Sequence, residues 1–321
     1  LQDLWTLMDT LAPGTLGLGS MKEFTGYYIE SDDDQNARVE RMSELNTRMT
    51  QRIDGKPAPM LRRMKSDVAK DLPKKYEYTL DRDMESRQAD LYHEALMTLR
   101  EGRTRTQKIE AFHRMRSVSL HPNALDGSSS DFPEEFVNDS ARLVQMLEIL
   151  DSIKKNNEKV LIFVEAIEMH RWLAIYLQQR YDMPHKPERI FGQVSSRVRQ
   201  QVVERFQSSE NEGFDILLLS PKAAGVGLTL TAANNVIHLT RWWNPAVEDQ
   251  CTDRAYRIGQ TKDVNVYYPR AIHPVYGDRS FDVILHNLLD RKRELSRHVL
   301  APAQADVALD SLVADLEGAA E

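Results

Sequence analysis

The chain has 321 residues, of which 41% are hydrophobic, enough to bury a sizeable core in one large domain or two ordinary ones. Its formal net charge is −7, which argues against a uniformly basic nucleic-acid-binding protein. No apolar run reaches the roughly 18 residues that cross a bilayer. The single cysteine, Cys251, excludes a disulfide within the chain. The composition therefore indicates a globular, cytoplasmic protein without a membrane partner.

Helical patterns dominate the first part of the chain, residues 1–53. Apolar residues recur at helical spacing from Leu4 to Leu11, and Pro13 and Gly14 predict a turn after them. A second, polar helix is predicted from about Asn36 to Arg52. We therefore predict a helical segment at the N-terminus.

A connector is predicted over residues 54–80, where glycine and prolines break the helical pattern. It ends in an alternating stretch, Tyr76 to Leu80, that predicts a strand. Residues 81–157 are again helical and are predicted to form an insertion, with a break at His121-Pro122. Between Arg38 and Arg116 the chain is locally basic, with 19 Lys or Arg against 13 Asp or Glu, which by itself is typical of solvated helix faces.

Residues 158–301 alternate short apolar runs with helical or loop-like sequence. Continuous apolar runs are typical of parallel strands that are covered on both faces, and their alternation with helices indicates an α/β fold. We predict a doubly wound parallel sheet with helical insertions and an N-terminal helical extension. The remaining segment, 302–321, is acidic and is expected to be a disordered tail. The predicted strands are 160–164, 215–220, 235–240 and 264–268.

In such a sheet, ligands bind outside the carboxyl ends of the strands, which directs attention to the loop SPKAAGVGLTLTAANN after residues 215–220. Gly225 and Gly227 allow close backbone approach, so the loop could hold phosphate oxygens. A Gly-x-Gly pair alone more often makes a tight turn.

The stretch WNPAVEDQCTDRAYRIGQ, residues 243–260, carries two arginines. Residues 247–257 are predicted to be helical, which would place Arg254 and Arg257 on one face. Guanidinium groups stabilise the charge that develops on phosphoryl oxygens during nucleotide hydrolysis. The alternative is an ordinary surface pairing with Glu248 or Asp253.

Five motifs in order give the chain a resemblance to the Swi/Snf-type helicase-like ATPases, bacterial members in particular. WNPAVEDQ followed by DRAYRIGQ is similar to the sixth helicase motif, SPKAAGVGLTLTAANNVI to the fifth and KVLIFVEAIEMHRWLAIYL to the fourth. GQVSSRVRQQVVERF resembles the motif between the fourth and the fifth, and LRRMKSDVAKDLPKK an upstream signature. Pro221, Ala224 and Tyr256 depart from the family's usual residues.

The resemblance implies that residues 158–301 form the second RecA-like lobe of such an ATPase, with ATP and Mg²⁺ bound mainly by the first lobe. Arg254 and Arg257 would act as arginine fingers on the γ-phosphate. The nucleotide would also be approached by Gly225, Gly227, Gln250 and Gln260. Double-stranded DNA would be contacted through Ser195, Arg199, Ser220, Lys222 and Trp243. Trp242 is expected to pack in the core or on a shelf, and Cys251 to be a structural thiol.

Neither a G-x-x-x-x-G-K-[ST] phosphate loop nor a D-E-x-H magnesium motif occurs in the sequence. The first residues, LQDLWTLMDTLAPG, resemble the segment that follows the third helicase motif. We therefore expect a chain without a metal site of its own that is inactive until its first lobe completes it, and otherwise monomeric. Two functions stay open: half of an ATP-driven DNA translocase, or a non-catalytic DNA-binding or adaptor module. Phage defence, repair and transcription recycling, with further protein partners, are possible settings.

Overall fold

The structure, a computed structural model, describes residues 2–11, 13–14, 17–28, 35–52, 57–61, 71–123, 134–224, 227–298 and 316. The chain divides into two compact units. The first comprises Leu1–Lys70 and Asp290–Val307, and the second comprises Asp71–Leu289 and Ala308–Glu321.

The first unit contains three helices in the residues described before residue 57. They are α1 (Gln2–Leu11), α2 (Met21–Tyr28) and α3 (Gln35–Thr50). The helices predicted near α1 and α3 are confirmed, whereas α2 was not predicted. A reciprocal cap begins α2, because the Ser20 hydroxyl accepts from the Glu23 N–H while the Glu23 carboxylate accepts from the Ser20 N–H. These helices share one buried cluster: Met8, Phe24, Tyr28, Met42, Leu45 and Met49.

The second unit is built on one six-stranded sheet whose neighbouring strands are all parallel. Its strand order is β1-β6-β5-β2-β4-β3. The α/β architecture with a parallel sheet is therefore confirmed, and each predicted apolar run forms a strand. The strands are β1 (Lys75–Asp83), β2 (Lys159–Phe163), β3 (Glu188–Ile190), β4 (Asp215–Leu219), β5 (Asn235–His238) and β6 (Val264–Ile272).

Helices cover both faces of this sheet, which explains why β2 and β4 are buried at every residue. Successive side chains of a strand alternate between faces, so Val160 and Ile162 join one cluster while Leu161 and Phe163 join another. The first cluster is covered by α7 (Ala141–Lys155) and α8 (Ile167–Tyr181). The second is covered by α9 (Ser196–Gln207) and α11 (Pro245–Thr252).

The predicted helical insertion contains α4 (Ser86–Glu101), α5 (Arg105–Leu120) and α6 (Glu134–Asn138). Helix α5 ends at Leu120, before the predicted break. A third cluster joins α4 and α5 to the first half of α12 (Phe281–His298), chiefly through Tyr92, Phe112 and Phe281. The predicted tail, 302–321, lies outside the described residues except Leu316, which is buried in this cluster.

Candidate functional site

The loops after β2, β4 and β5 leave the sheet at one edge, because parallel strands end on the same side. In the strand order, β4 and β5 lie on opposite sides of β2, so the connection from β4 to β5 crosses β2. The reversal of strand order opens a crevice between loops, which is where open α/β sheets bind ligands. The predicted motifs therefore meet at the expected edge.

The loop after β4 is fixed close to the sheet by buried contacts. The Ser220 N–H donates to the carbonyl of Ile190 at 2.9 Å, which ties this loop to the end of β3. Ser220 is buried, and its hydroxyl accepts from the Ala223 N–H at 3.4 Å, so it caps the short helix α10 (Pro221–Ala224). Pro221 opens that helix, at a position whose N–H would have no partner within the helix. Ser220 thus has a capping role, and a DNA contact by its hydroxyl remains a prediction.

The glycine pair falls partly outside the described residues, since the structure describes Gly227 but not Gly225. Gly227 has a φ of +60°, and no atom lies within 4 Å of the position a Cβ would take. Glycine is required there by the backbone conformation rather than by crowding. Among the described residues, nothing therefore crowds the Cα of Gly227.

The helix predicted over residues 247–257 is wrong in its second half, since α11 ends at Thr252. Beyond it the backbone folds into successive turns, and the carbonyl of Arg254 accepts from the Leu230 N–H at 2.8 Å. We call residues 253–260 the arginine turn. Arg254 and Arg257 are thus presented by turns held against the loop before β5, not by one helix face.

Gln260 closes the arginine turn from inside the protein. Its amide nitrogen lies 3.1, 2.8 and 3.1 Å from the carbonyl oxygens of Thr231, Ala233 and Ala255. Its amide oxygen accepts from the N–H groups of residues 261 and 262, both at 3.0 Å. Both ends of this side chain are occupied by backbone, so the structure gives Gln260 a positioning role. Direct binding of nucleotide by Gln260 remains a prediction. The other predicted glutamine, Gln250, is exposed on α11, and its contact with nucleotide also remains a prediction.

Arg254 is 9% exposed, and its Nη1 donates to the carbonyl of Leu228 at 3.5 Å. Its Nε is buried with no hydrogen-bond partner among the described residues. Burial lowers the pKa of Arg254, and the positive charge of the exposed Arg257 lowers it further. The negative charge of Asp253 acts in the opposite direction and raises that pKa, as the alternative pairing with Asp253 would predict. Both oxygens of the other candidate partner, Glu248, accept hydrogen bonds from Arg241.

Arg241 and Glu248 form a buried pair that fixes the loop between β5 and α11. The Arg241 and Glu248 side chains are 3% and 1% exposed, and both of their hydrogen bonds measure 2.8 Å. Arg241 also contacts Nδ1 of His286 at 2.7 Å and lies 4.2 Å from the centroid of the Tyr268 ring. The Trp242 N–H donates to Glu248 at 3.2 Å. The sequence analysis did not identify this pair, because Arg241 and Glu248 are seven residues apart across a helix start.

The two neighbouring tryptophans are both partly exposed and contact different groups. Trp243 packs against the third cluster, with its ring centroid 4.9 Å from that of Phe112 and 6.4 Å from that of Phe281. The guanidinium of Arg116 covers it at 4.7 Å. Trp242 lies beside Lys222, whose Nζ is 5.6 Å from its ring centroid. The DNA contact of Trp243 and the packing role of Trp242 therefore remain predictions.

The remaining predicted DNA-binding residues lie in the loop after β3 and at the start of α9. Ser195 is exposed and caps α9 by accepting from the Val198 N–H at 3.4 Å. Arg199 donates to the carbonyl of Val194 at 3.2 Å, and its Nε is buried without a partner among the described residues.

Cys251 is buried, and burial raises the pKa of its thiol to about 12. Cys251 therefore behaves as a structural thiol.

Two features are absent from the part of the chain that the structure describes. No group of three or more His, Cys, Asp or Glu side chains there is arranged to hold a metal ion. No described helix combines the length and apolarity needed to cross a membrane.

A parallel sheet with helicase-like motifs along its carboxyl edge defines the chain as containing a RecA-like helicase lobe. Models of two families match it: the helicase conserved C-terminal domain over residues 141–259 and the SNF2-related domain over residues 1–124. These matches confirm the resemblance to Swi/Snf-type helicase-like ATPases.

Bacterial relatives and solved structures agree with this resemblance. The Zorya protein ZorD of Escherichia coli is 35% identical over 99% of the chain and 29% of its own length. The putative ATP-dependent helicase/translocase YwqA of Bacillus subtilis is 35% identical over 83% of the chain and 28% of its own length. The SWI2/SNF2 ATPase core of Sulfolobus solfataricus in complex with dsDNA is 27% identical with a TM-score of 0.58, covering 95% of the chain and 61% of that core. The chain thus spans less than a third of the length of ZorD and of YwqA.

Proposed function

We propose that the chain is the C-terminal part of an ATP-dependent double-stranded-DNA translocase and supplies arginine fingers to a shared ATPase site. The observation that carries the proposal is the pair Arg254 and Arg257. A buried, incompletely bonded guanidinium beside a second cation is electrostatically unfavourable until an anion arrives. The phosphates of a nucleotide are such an anion, and bidentate guanidinium binding suits their geometry.

The residues present fit the phosphates of ATP but not its magnesium ion. Arg254 and Arg257 provide cations, and Gly227 has no side chain that would prevent close approach of a phosphate. The described residues provide no carboxylate cluster for Mg²⁺, and we assign the ion and most of the ATP contacts to the first lobe. When bound, ATP and Mg²⁺ supply the phosphoryl group and neutralise part of its charge.

The proposed role of the chain's own residues is electrostatic and positional. Arg254 is held by the backbone contacts of the arginine turn, so its guanidinium is oriented before ligand binds. Arg257 is exposed and can reach a nucleotide presented by a facing lobe. Gln260 keeps the turn in place, while Gly225 and Gln250 remain proposed neighbours of the nucleotide. Pre-organised positive charge stabilises a transition state without reorganisation at the moment of reaction.

The proposed DNA contacts lie along the loops that follow β3 and β4. Ser195 and Lys222 are exposed, and Arg199 has an unpartnered Nε, so these residues can meet phosphate oxygens without reading sequence. A similar solved ATPase core is bound to dsDNA, which supports duplex DNA as the partner. We further propose a cytoplasmic monomer that works with its own first lobe and with other proteins of a larger system.

The second candidate is a non-catalytic DNA-binding or adaptor module. It would need the fold and the DNA loops but not a second arginine beside a buried, incompletely bonded one, so the arginine pair favours the translocase. Phage defence, repair and transcription recycling remain open as its setting.

The test changes Arg254 and Arg257 separately to Ala in the ATPase assembled with its first lobe. DNA-stimulated ATP turnover should fall by roughly a thousandfold or more for each variant, with ATP binding nearly intact. The control is Arg82→Ala, because Arg82 forms only an exposed pair with Glu148 on β1 and α7. Retained turnover in both arginine variants would show that both side chains are structural, whereas absence of turnover in the unaltered assembly would favour the adaptor.

A further inference from the structure

We propose that the open edge of β1 is a docking site for an extended strand of a partner protein, which joins the sheet beside β1. The partner strand carries basic residues at alternate positions and apolar or aromatic residues between them. None of the residues assigned above to ATP or DNA lies on β1. The interaction surface is therefore separate from the proposed ATPase and DNA contacts, and each can be tested without the other.

β1 is the last strand of the sheet, and in the described part of the chain only β6 is hydrogen-bonded to it as a strand. The carbonyl of Lys74 accepts from the Val264 N–H at 2.9 Å, and the Met84 N–H donates to the carbonyl of Ile272 at 2.8 Å. Backbone groups of successive residues in a strand point to opposite sides. Lys74 and Met84 point toward β6, so the even-numbered residues between them do as well. The backbone groups of the other residues of β1 point to the open edge: Lys75, Glu77, Thr79, Asp81 and Asp83.

The length and exposure of β1 make this edge suitable for pairing with another chain. β1 has nine residues, and each residue that points to the edge is exposed. The strand at the opposite edge of the sheet, β3, has three residues. Proteins usually shorten or cover their edge strands, because a row of unpaired backbone groups binds other strands. β3 follows that rule, whereas β1 presents a long row of donors and acceptors. An extended peptide is the ligand that complements such a row.

One face of β1 provides apolar contacts for an added strand. Tyr76, Tyr78 and Leu80 alternate along this face, and the two tyrosines are 39% and 40% exposed. The Tyr78 ring stacks on that of Tyr267, its neighbour in β6, with the ring centroids 5.3 Å apart. Side chains that lie opposite each other on neighbouring strands are about 5 Å apart and interact. An apolar or aromatic residue of the partner strand would therefore extend the row that Tyr267 and Tyr78 begin.

The other face of β1 determines the charge of the partner. It carries three carboxylates, from Glu77, Asp81 and Asp83, and one ammonium group, from Lys75. Lys75 contacts Glu77 at 2.6 Å, and Arg270 binds both oxygens of Asp81. The carboxylates outnumber the cations even when Arg270 is counted. A second copy of β1 would bring three more carboxylates to this face, whereas basic residues would neutralise it. Charge complementarity therefore favours a basic partner strand.

The experiment titrates the 321-residue chain with a synthetic peptide as long as β1 that alternates valine and lysine. Amide hydrogen exchange is followed residue by residue. At a free peptide concentration of about ten times Kd, exchange of the edge-directed amides should slow by about tenfold. The amides that are bonded to β6 should be unaffected. A peptide that alternates valine and glutamate should bind more weakly, and the difference between the two peptides should decrease as salt is added.

Variants of β1 test whether the backbone edge is the binding element. Thr79→Pro removes an edge-directed donor and leaves the hydrogen bonds to β6 in place. It should raise Kd by roughly five- to a hundredfold, whereas Thr79→Val keeps the donor and should bind as the unaltered chain does. The matched control, Tyr78→Pro, removes a donor to β6 and should lower Tm more than Thr79→Pro does.

Four results would overturn the docking site or its proposed occupant. Unchanged affinity of Thr79→Pro, or equal slowing of exchange at amides of both directions, would show that the edge does not bind the peptide. Equal affinity for the lysine and glutamate peptides would rule out a basic partner. Self-association of the chain in sedimentation, abolished by Thr79→Pro, would assign the edge to a second copy. Absence of peptide binding by the unaltered chain would overturn the docking site and leave the proposed ATPase and DNA contacts as they are.

Discussion

Removal of the Glu248 carboxylate should strongly destabilise the second unit. The Glu248→Ala substitution leaves Arg241 charged and 97% buried without its carboxylate partner, and it removes the acceptor of the Trp242 N–H. Breaking one side of a buried ion pair costs about 3–5 kcal/mol, because the remaining charge has lost both water and its partner. For a unit of this size the loss corresponds to a fall in Tm of roughly 6 to 20 °C.

Differential scanning calorimetry of matched variants can test this magnitude. Arg82→Ala breaks the pair Arg82–Glu148, whose side chains are 37% and 62% exposed, and should cost about 0–1 kcal/mol. The double variant Arg241→Met, Glu248→Leu removes both buried charges and should recover most of the stability lost in Glu248→Ala. The reasoning is refuted if Glu248→Ala is as mild as Arg82→Ala, or if the double variant is as unstable as the single one.

Two further predictions concern Gln260 and the buried histidines. Gln260→Ala should lower the free energy of unfolding by about 1–3 kcal/mol. Gln260→Glu should not restore that stability, because a carboxylate cannot donate to the three carbonyls that the amide nitrogen approaches. Wild-type stability of Gln260→Glu in thermal unfolding would contradict this prediction. Burial lowers the pKa of both His121 and His170 to about 4, so each is neutral when folded and takes up a proton near pH 6.5 when unfolded. Their contribution is therefore complete above pH 6.5 and is lost as the pH falls toward 4, by about 3 kcal/mol for each histidine. Urea unfolding across that range should show the loss, and His170→Gln should reduce it; a flat profile would show that these histidines can be protonated in the folded protein.

Much of the sheet could be predicted from the sequence, because strands that are buried on both faces appear as continuous apolar runs. Strands β2 and β4 are buried at every residue, and both appear in the sequence as unbroken apolar runs. Strand β3 has three residues, Glu188–Ile190, and no apolar run. Its strand conformation comes from pairing with β4, so only tertiary structure could identify it.

The motif residues, and the loops in which they lie, could also be predicted from the local sequence. Strand order then placed the loops after β2, β4 and β5 at one crevice, as the rule for open sheets predicts. The end of α11 at Thr252 could not be predicted from the local sequence. Gln260 and the Arg254 carbonyl bind the loop before β5 and turn the chain after Thr252, so long-range hydrogen bonds override the helical pattern.

The tryptophan pair shows most clearly what the sequence alone determined and what required the fold. The sequence established two adjacent aromatic residues next to an arginine and ahead of a helix start. It could not say which ring would pack, because adjacent side chains point in different directions and the direction depends on how the loop is held. The buried Arg241–Glu248 pair fixes that loop, and Phe112, Phe281 and Arg116, from helices distant in sequence, engage Trp243. Both rings are partly exposed, and Trp242 lies beside Lys222 because the folded chain brings the loop after β4 next to the loop after β5.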